Sequence, residues 1–127
     1  MLTAVTHLTM FVHDQDATLE FYKKIGFIVH TDSDFDGMRW LTICFPGKKD
    51  FELAVMKASN DTEKALVGKQ GADKPFISLE SSDCLKDYET LKAQGVEILE
   101  KPENMPWGIS MSFHDNSGNK IYVCQQV

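Results

Sequence analysis

Apolar and polar positions alternate at the start of the chain. In residues 7–12, Leu8, Met10 and Val12 fall on one face of a strand, and His7, Thr9 and Phe11 on the other. His13-Asp14-Gln15-Asp16 offers carboxylates to cap a helix. Phe21, Tyr22 and Ile25 then recur at helical spacing, which predicts a helix over about 17–25. Gly26 is suited to stop it, because glycine accepts the left-handed conformation at a helix end. Residues 27–30 read as a strand, the polar run 32–37 as a turn, 38–45 as a strand and 46–50 as a turn. A fourth strand over 51–56 puts Glu52, Ala54 and Met56 on one face and Phe51, Leu53 and Val55 on the other.

Residues 59–74 are polar, contain Gly68 and Gly71, and read as a linker with one weak helical turn near 63–67. The order then repeats. Residues 75–79 predict a strand, and Ser81-Ser82-Asp83 can cap a helix striped by Leu85, Tyr88 and Leu91 and stopped by Gly95. A strand over 96–99, a loop over 101–106, a strand over 109–113, a tight turn over 115–119 and a last strand over 120–125 follow. Aligning Gly26 with Gly95 lays Leu8 on Ile77, Met10 on Leu79, Leu19 on Tyr88, Tyr22 on Leu91, Phe27 on Val96 and Val29 on Ile98. With one residue of slippage, Phe51-Glu52-Leu53 falls on Ile121-Tyr122-Val123. The chain therefore reads as a single α+β domain over 1–127, made of two β-α-β-β-β units (about 1–58 and 75–127) joined by the linker.

Each helix needs an apolar sheet face to cover its stripe. Leu8-Met10-Val12, Phe51-Leu53-Val55, Ile77-Leu79 and Ile121-Val123 supply such faces. The opposite faces mix aromatic and polar groups: His7, Thr9 and Phe11; Glu52 and Met56; Phe76, Ser78 and Glu80; Tyr122 and Cys124. A surface of that composition suits a small-molecule pocket.

Composition narrows the partners. A net charge of −6 argues against nucleic acid and anionic membrane surfaces. No apolar run is long enough to span a bilayer. The three scattered cysteines form no CxxC pair, which argues against a thiolate zinc site or a disulfide framework and for a reducing cytoplasm.

His7-Leu8-Thr9, the stretch from Asp16 through Phe21-Tyr22 to Gly26-Phe27, Phe51-Glu52-Leu53, and the end from Phe113-His114-Asp115 through Gly118-Asn119-Lys120-Ile121 resemble the vicinal oxygen chelate superfamily. That group includes glyoxalase I, extradiol dioxygenases, and fosfomycin- and bleomycin-resistance proteins. The resemblance implies two tandem βαβββ units whose curved mixed sheets surround a cup-shaped pocket, with helices on the outer face, and it implies a homodimer. Metal-dependent members place ligands on the first and last strands of each unit, which here implies the slots His7, Glu52, Phe76 and Tyr122. His7 and Glu52 suit a divalent cation such as Zn, Ni, Mn or Fe. Phe76 cannot ligate, and Tyr122 is a poor ligand unless ionised. A metal held by two side chains would be weak or absent.

Two functions follow from the resemblance. One is a lyase, isomerase or dioxygenase in which His7 and Glu52 hold a metal or act as an acid–base pair on a small oxygenated substrate. The other is metal-free sequestration of a flat or amphipathic molecule against Trp40, Phe76, Trp107 and Tyr122, with Thr9 and Ser78 as polar contacts. The acidic surface would favour a cationic ligand. Against these stand plainer roles. His7 can be a neutral histidine bonded to Glu52 or Tyr122, and Trp40 and Trp107 can be core. Arg39 can be an exposed strand-end residue rather than an anion clamp. His13, His30 and His114 lie near strand ends and are set aside as ligands. Cys124 lacks an activating neighbour, and residues 115–119 are a turn rather than a calcium loop.

Overall fold

A computed structural model describes residues 1–127, which divide into two units, Met1–Val67 and Gly68–Val127. The first contains β1 (His7–Val12), α1 (Gln15–Lys24), β2 (Ile28–Phe35), β3 (Met38–Cys44), β4 (Glu52–Lys57) and α2 (Asp61–Leu66). The second contains β5 (Ile77–Glu80), α3 (Cys84–Ala93), β6 (Ile98–Met105), β7 (Gly108–His114) and β8 (Lys120–Gln126). The architecture is α+β: two βαβββ-like units, each with a four-stranded mixed sheet, of order β1-β4-β3-β2 in one and β5-β8-β7-β6 in the other. In each sheet the first and last strands of the unit pair in parallel, and the remaining pairs are antiparallel.

Local chemistry sets the helix ends. The Asp14 carboxylate accepts from Ala17 N and caps α1; Asp83 does the same for Lys86 N at α3. Both helices close alike. After α1, Gly26 N donates to Lys23 O and Phe27 N to Tyr22 O; after α3, Gly95 N donates to Lys92 O and Val96 N to Leu91 O. This double closure needs a left-handed residue, and Gly26 and Gly95 supply it with φ of 110° and 79°.

In the first unit the apolar face holds Met10, Val12, Leu41, Ile43, Leu53 and Val55, all at most 2% exposed. From α1, Tyr22 is fully buried, and its hydroxyl donates to Met10 Sδ at 3.6 Å. Burying a side chain of this size contributes about 1.5–3 kcal/mol, so this face holds the unit together. Leu8 and Phe51, expected on the same face, are exposed because they sit at or before a strand end. In the second unit Met111, Phe113, Ile121 and Val123 are buried together with Leu91 of α3.

Two expected loops are strands. The run 32–37 is β2 continuing to Phe35, with only Asp36-Gly37 as the turn. Phe35 pairs with Met38 and Ser33 with Trp40, while Asp36 and Gly37 have φ of 55° and 80°. This is the two-residue hairpin turn that Asp-Gly favours. β2 carries polar residues because this edge strand meets solvent, so hydrophobic patterning does not mark its outer half. Likewise residues 101–105 belong to β6. Pro102 is tolerated there because β6 is an edge strand and the ladder is irregular between Glu100 and Glu103. The predicted turn near 63–67 is α2, capped by the Asn60 side chain accepting from Glu63 N.

Candidate functional site at His7, Glu52 and His30

The parallel pairing of β1 with β4 sets His7 opposite Glu52, on the face turned away from α1. The two touch: His7 Nε2 lies 3.3 Å from Glu52 Oε2. Glu52 is only 9% exposed, and a buried carboxylate needs partners to offset its lost hydration.

The second partner is His30, which the sequence reading set aside. Its Nδ1 is 2.9 Å from Glu52 Oε1. Its position comes from a bulge. Val29 pairs with Ile43 and Thr31 with Thr42, so His30 is an extra residue in β2. A bulge re-aims side chains in this way, and regular alternation carries no signal for it. Each imidazole has a threonine neighbour: His7 Nδ1 is 2.9 Å from Thr6 Oγ1, and His30 Nδ1 is 2.9 Å from Thr31 Oγ1. Trp40, half-buried on the next strand but one, packs edge-on against His7 with ring centroids 5.5 Å apart. Thr9 lies on the same face, exposed, opposite Ala54.

Arg39 takes no part in this cluster. Its Nε and Nη2 donate to the two carboxylate oxygens of Asp32 at 2.9 Å each, and Nη1 donates to Asp16 Oδ1 at 2.7 Å. These bonds hold Asp32 below the usual carboxylate range and raise the guanidinium further. The arginine ties α1 to β2.

The second unit's register corrects one assigned slot. Ile77 pairs with Ile121 as Leu8 pairs with Leu53, so the counterparts of His7 and Glu52 are Phe76 and Lys120, not Phe76 and Tyr122. The ladder bonds at this end differ between the units: the last-strand Glu52 N donates to Thr6 O in the first, whereas the first-strand Phe76 N donates to Lys120 O in the second. The slippage assumed from sequence ran in the wrong direction. Lys120 Nζ is 3.2 Å from Glu100 Oε1, and Ser112 Oγ donates to the same carboxylate at 2.5 Å. The hydroxyl first and the ammonium second hold Glu100 below the usual range. Tyr122 sits opposite Ser78 and Ser112, where Ala54 sits in the first unit. Its hydroxyl lies 2.5 Å from Ser110 Oγ and accepts from Trp107 Nε1 at 2.8 Å. Trp107 is 51% exposed and is not core. Phe76 is half-buried and Ser78 exposed.

A profile of the glyoxalase/bleomycin resistance protein/dioxygenase superfamily matches residues 4–123. The chain belongs to that superfamily. Among relatives, the uncharacterized protein YurT of Bacillus subtilis (strain 168) is 32% identical over 124 residues, covering 93% of this chain and 95% of that protein. Among solved structures, UcmS2 superposes with a TM-score of 0.87 at 27% identity, covering 99% of this chain and 100% of that one. TnmS3, described as an antibiotic binding protein from Streptomyces sp. CB03234, superposes with a TM-score of 0.81 at 26% identity, covering 99% and 98%.

Metal-dependent members of the superfamily bind a divalent cation, and the donors here do not fit one. The two imidazole nitrogens address different oxygens of one carboxylate. No group of three His, Cys, Asp or Glu side chains is arranged to hold a metal ion. In the second unit the corresponding residues are an aromatic ring and a cation engaged with Glu100. No chemical step is therefore derived through a metal. No helix is long and apolar enough to cross a membrane.

Proposed function

We propose that this superfamily member is a metal-independent small-molecule-binding protein, and that its ligand lies against the face carrying His7, Thr9, Trp40 and Glu52. Within the second unit, Phe76, Ser78, Trp107 and Tyr122 are proposed as that unit's own ligand-binding residues. The observation that carries this reading is the use of Glu52: both carboxylate oxygens are taken by histidines, and an aromatic wall, Trp40, stands against one of them. Polar groups already satisfied by one another, beside an aromatic surface, suit recognition. The likeness to TnmS3, itself described as antibiotic-binding, supports the same reading.

The test is quenching of tryptophan fluorescence by a broad library of aromatic and cationic aromatic compounds. Saturable quenching is expected, and it is expected to weaken in Trp40→Phe. The absence of any saturable response across the library would overturn the proposal. A second reading, acid–base turnover of the ligand, is favoured by the carboxylate–imidazole contact. Time-dependent consumption of a bound compound, lost in Glu52→Gln, would distinguish it.

A further inference from the structure

We infer that His30, not His7, presents the acceptor that the ligand meets, and that the ligand carries a hydroxyl or N–H donor at that point. The inference rests on the binding face proposed above. It follows from which nitrogens must bear hydrogen. An ionised carboxylate only accepts, and a neutral imidazole has one N–H and one lone pair. The nitrogen facing Glu52 is therefore the protonated one: Nε2 in His7 and Nδ1 in His30. The reverse assignment for His30, with Thr31 donating to a lone pair on Nδ1, would set that lone pair 2.9 Å from a carboxylate oxygen. That arrangement is repulsive.

The remaining nitrogens then differ. The His7 Nδ1 lone pair is taken by the Thr6 hydroxyl at 2.9 Å. In that tautomer His30 Nε2 carries the lone pair, and the hydrogen-bond and ion-pair contacts of His30 are made by Nδ1, on a side chain 31% exposed. Glu52 thus fixes His30 in one tautomer and leaves a directed acceptor beside a face that also carries Trp40. In enzymes a carboxylate orients histidines in the same manner, by holding Nδ1–H so that Nε2 can accept. A phenol, an enol or an amide N–H on a flat ring has the matching chemistry. An ether or a methylated analogue does not.

Two measurements test this. Long-range proton–nitrogen correlation spectra of uniformly labelled ligand-free protein at pH 7.5 report each histidine tautomer directly. His30 is expected as Nδ1–H with a bare Nε2, and His7 as Nε2–H. Glu52→Gln, which removes the charge, is expected to release His30 into a tautomer mixture. Finding His30 as Nε2–H in the wild-type protein overturns the inference whether or not any ligand binds. The second measurement compares 2-naphthol with 2-methoxynaphthalene by calorimetric titration. The naphthol is expected to bind about tenfold more tightly, the size of one lost hydrogen bond, and His30→Phe to erase the difference. Equal affinities would overturn the donor requirement while leaving the binding face intact. No binding of either compound would count against the face itself, and the tautomer spectrum would still decide the assignment at His30.

Discussion

Glu52 Oε1 meets His30 Nδ1 at 2.9 Å, although His30 lies on the edge strand β2 and Glu52 on β4, two strands away. The bulge at His30 makes the contact. The carboxylate that the superfamily resemblance marks for a metal is thereby occupied from both sides.

This occupancy sets an energetic coupling. Removing an imidazole leaves a buried carboxylate oxygen without its donor, whereas removing the carboxylate leaves imidazoles that water can reach. His30→Ala is expected to cost about 1–3 kcal/mol at pH 7.5 in urea unfolding. In a Glu52→Ala background the same change is expected to cost close to nothing. Equal costs in both backgrounds would mean that the pair is not coupled.

Divalent metals are expected to leave the melting temperature unchanged. A cation bound at a hundred times its Kd adds about 2.7 kcal/mol through linkage, which a thermal shift resolves easily. Titration with Zn, Ni, Mn and Fe(II) on untagged protein checks this. A rise that His7→Ala abolishes would restore the metal-ligand role for His7 and Glu52.

The turn before β8 is cross-linked by its own hydrogen bonds. Asp115 is buried; its Oδ1 accepts from Ser117 N and Asn119 N, and its Oδ2 from Asn119 Nδ2, each at 2.9 Å. Gly68 packs against it with φ of 74°, and an added Cβ would lie 2.0 Å from Ser117 O. Gly68→Ala is therefore expected to destabilise by more than the ~1 kcal/mol of a plain backbone penalty. Asp115→Ala is expected to cost about 2 kcal/mol. Chemical denaturation checks both, and a neutral Gly68→Ala would show that the loops do not meet so closely.

Stability is expected to fall in acid for reasons distinct from the site. Asp32 and Glu100 both titrate below their ordinary range in the folded chain, held there by Arg39 and by Ser112 with Lys120 respectively. A depressed carboxylate adds stability above its unfolded value and loses it as pH falls through the folded one. Melting temperature should therefore drop below about pH 4.5, and Arg39→Gln should shrink the Asp32 contribution. A melting temperature flat from pH 7 to pH 3 would contradict this.

The legible parts of the fold were those fixed by local chemistry. Gly26 and Gly95 ended both helices where expected, because each closure needs a left-handed residue. The alternation of His7-Thr9 and Glu52-Ala54 put those residues on one face, as the register shows. What escaped was set by pairing between distant strands. The starts of β2 and β6 were legible, but their continuations, 32–35 and 101–105, looked like turn and loop because edge strands carry polar residues. His30 was set aside because a bulge leaves no mark in the alternation. Tyr122 was given Glu52's slot because strand register, and not residue type, decides which positions correspond.

The central claim is that a small molecule binds the face carrying His7, Trp40 and Glu52 without a metal. A chelator-treated sample titrated with the strongest compound from the fluorescence screen, followed by amide and indole NMR shifts, tests it most directly. The expected result is saturable shifts that include the Trp40 indole and the backbone of His7, His30 and Glu52. Binding that leaves those four signals unmoved, or that appears only after metal is added, would contradict it.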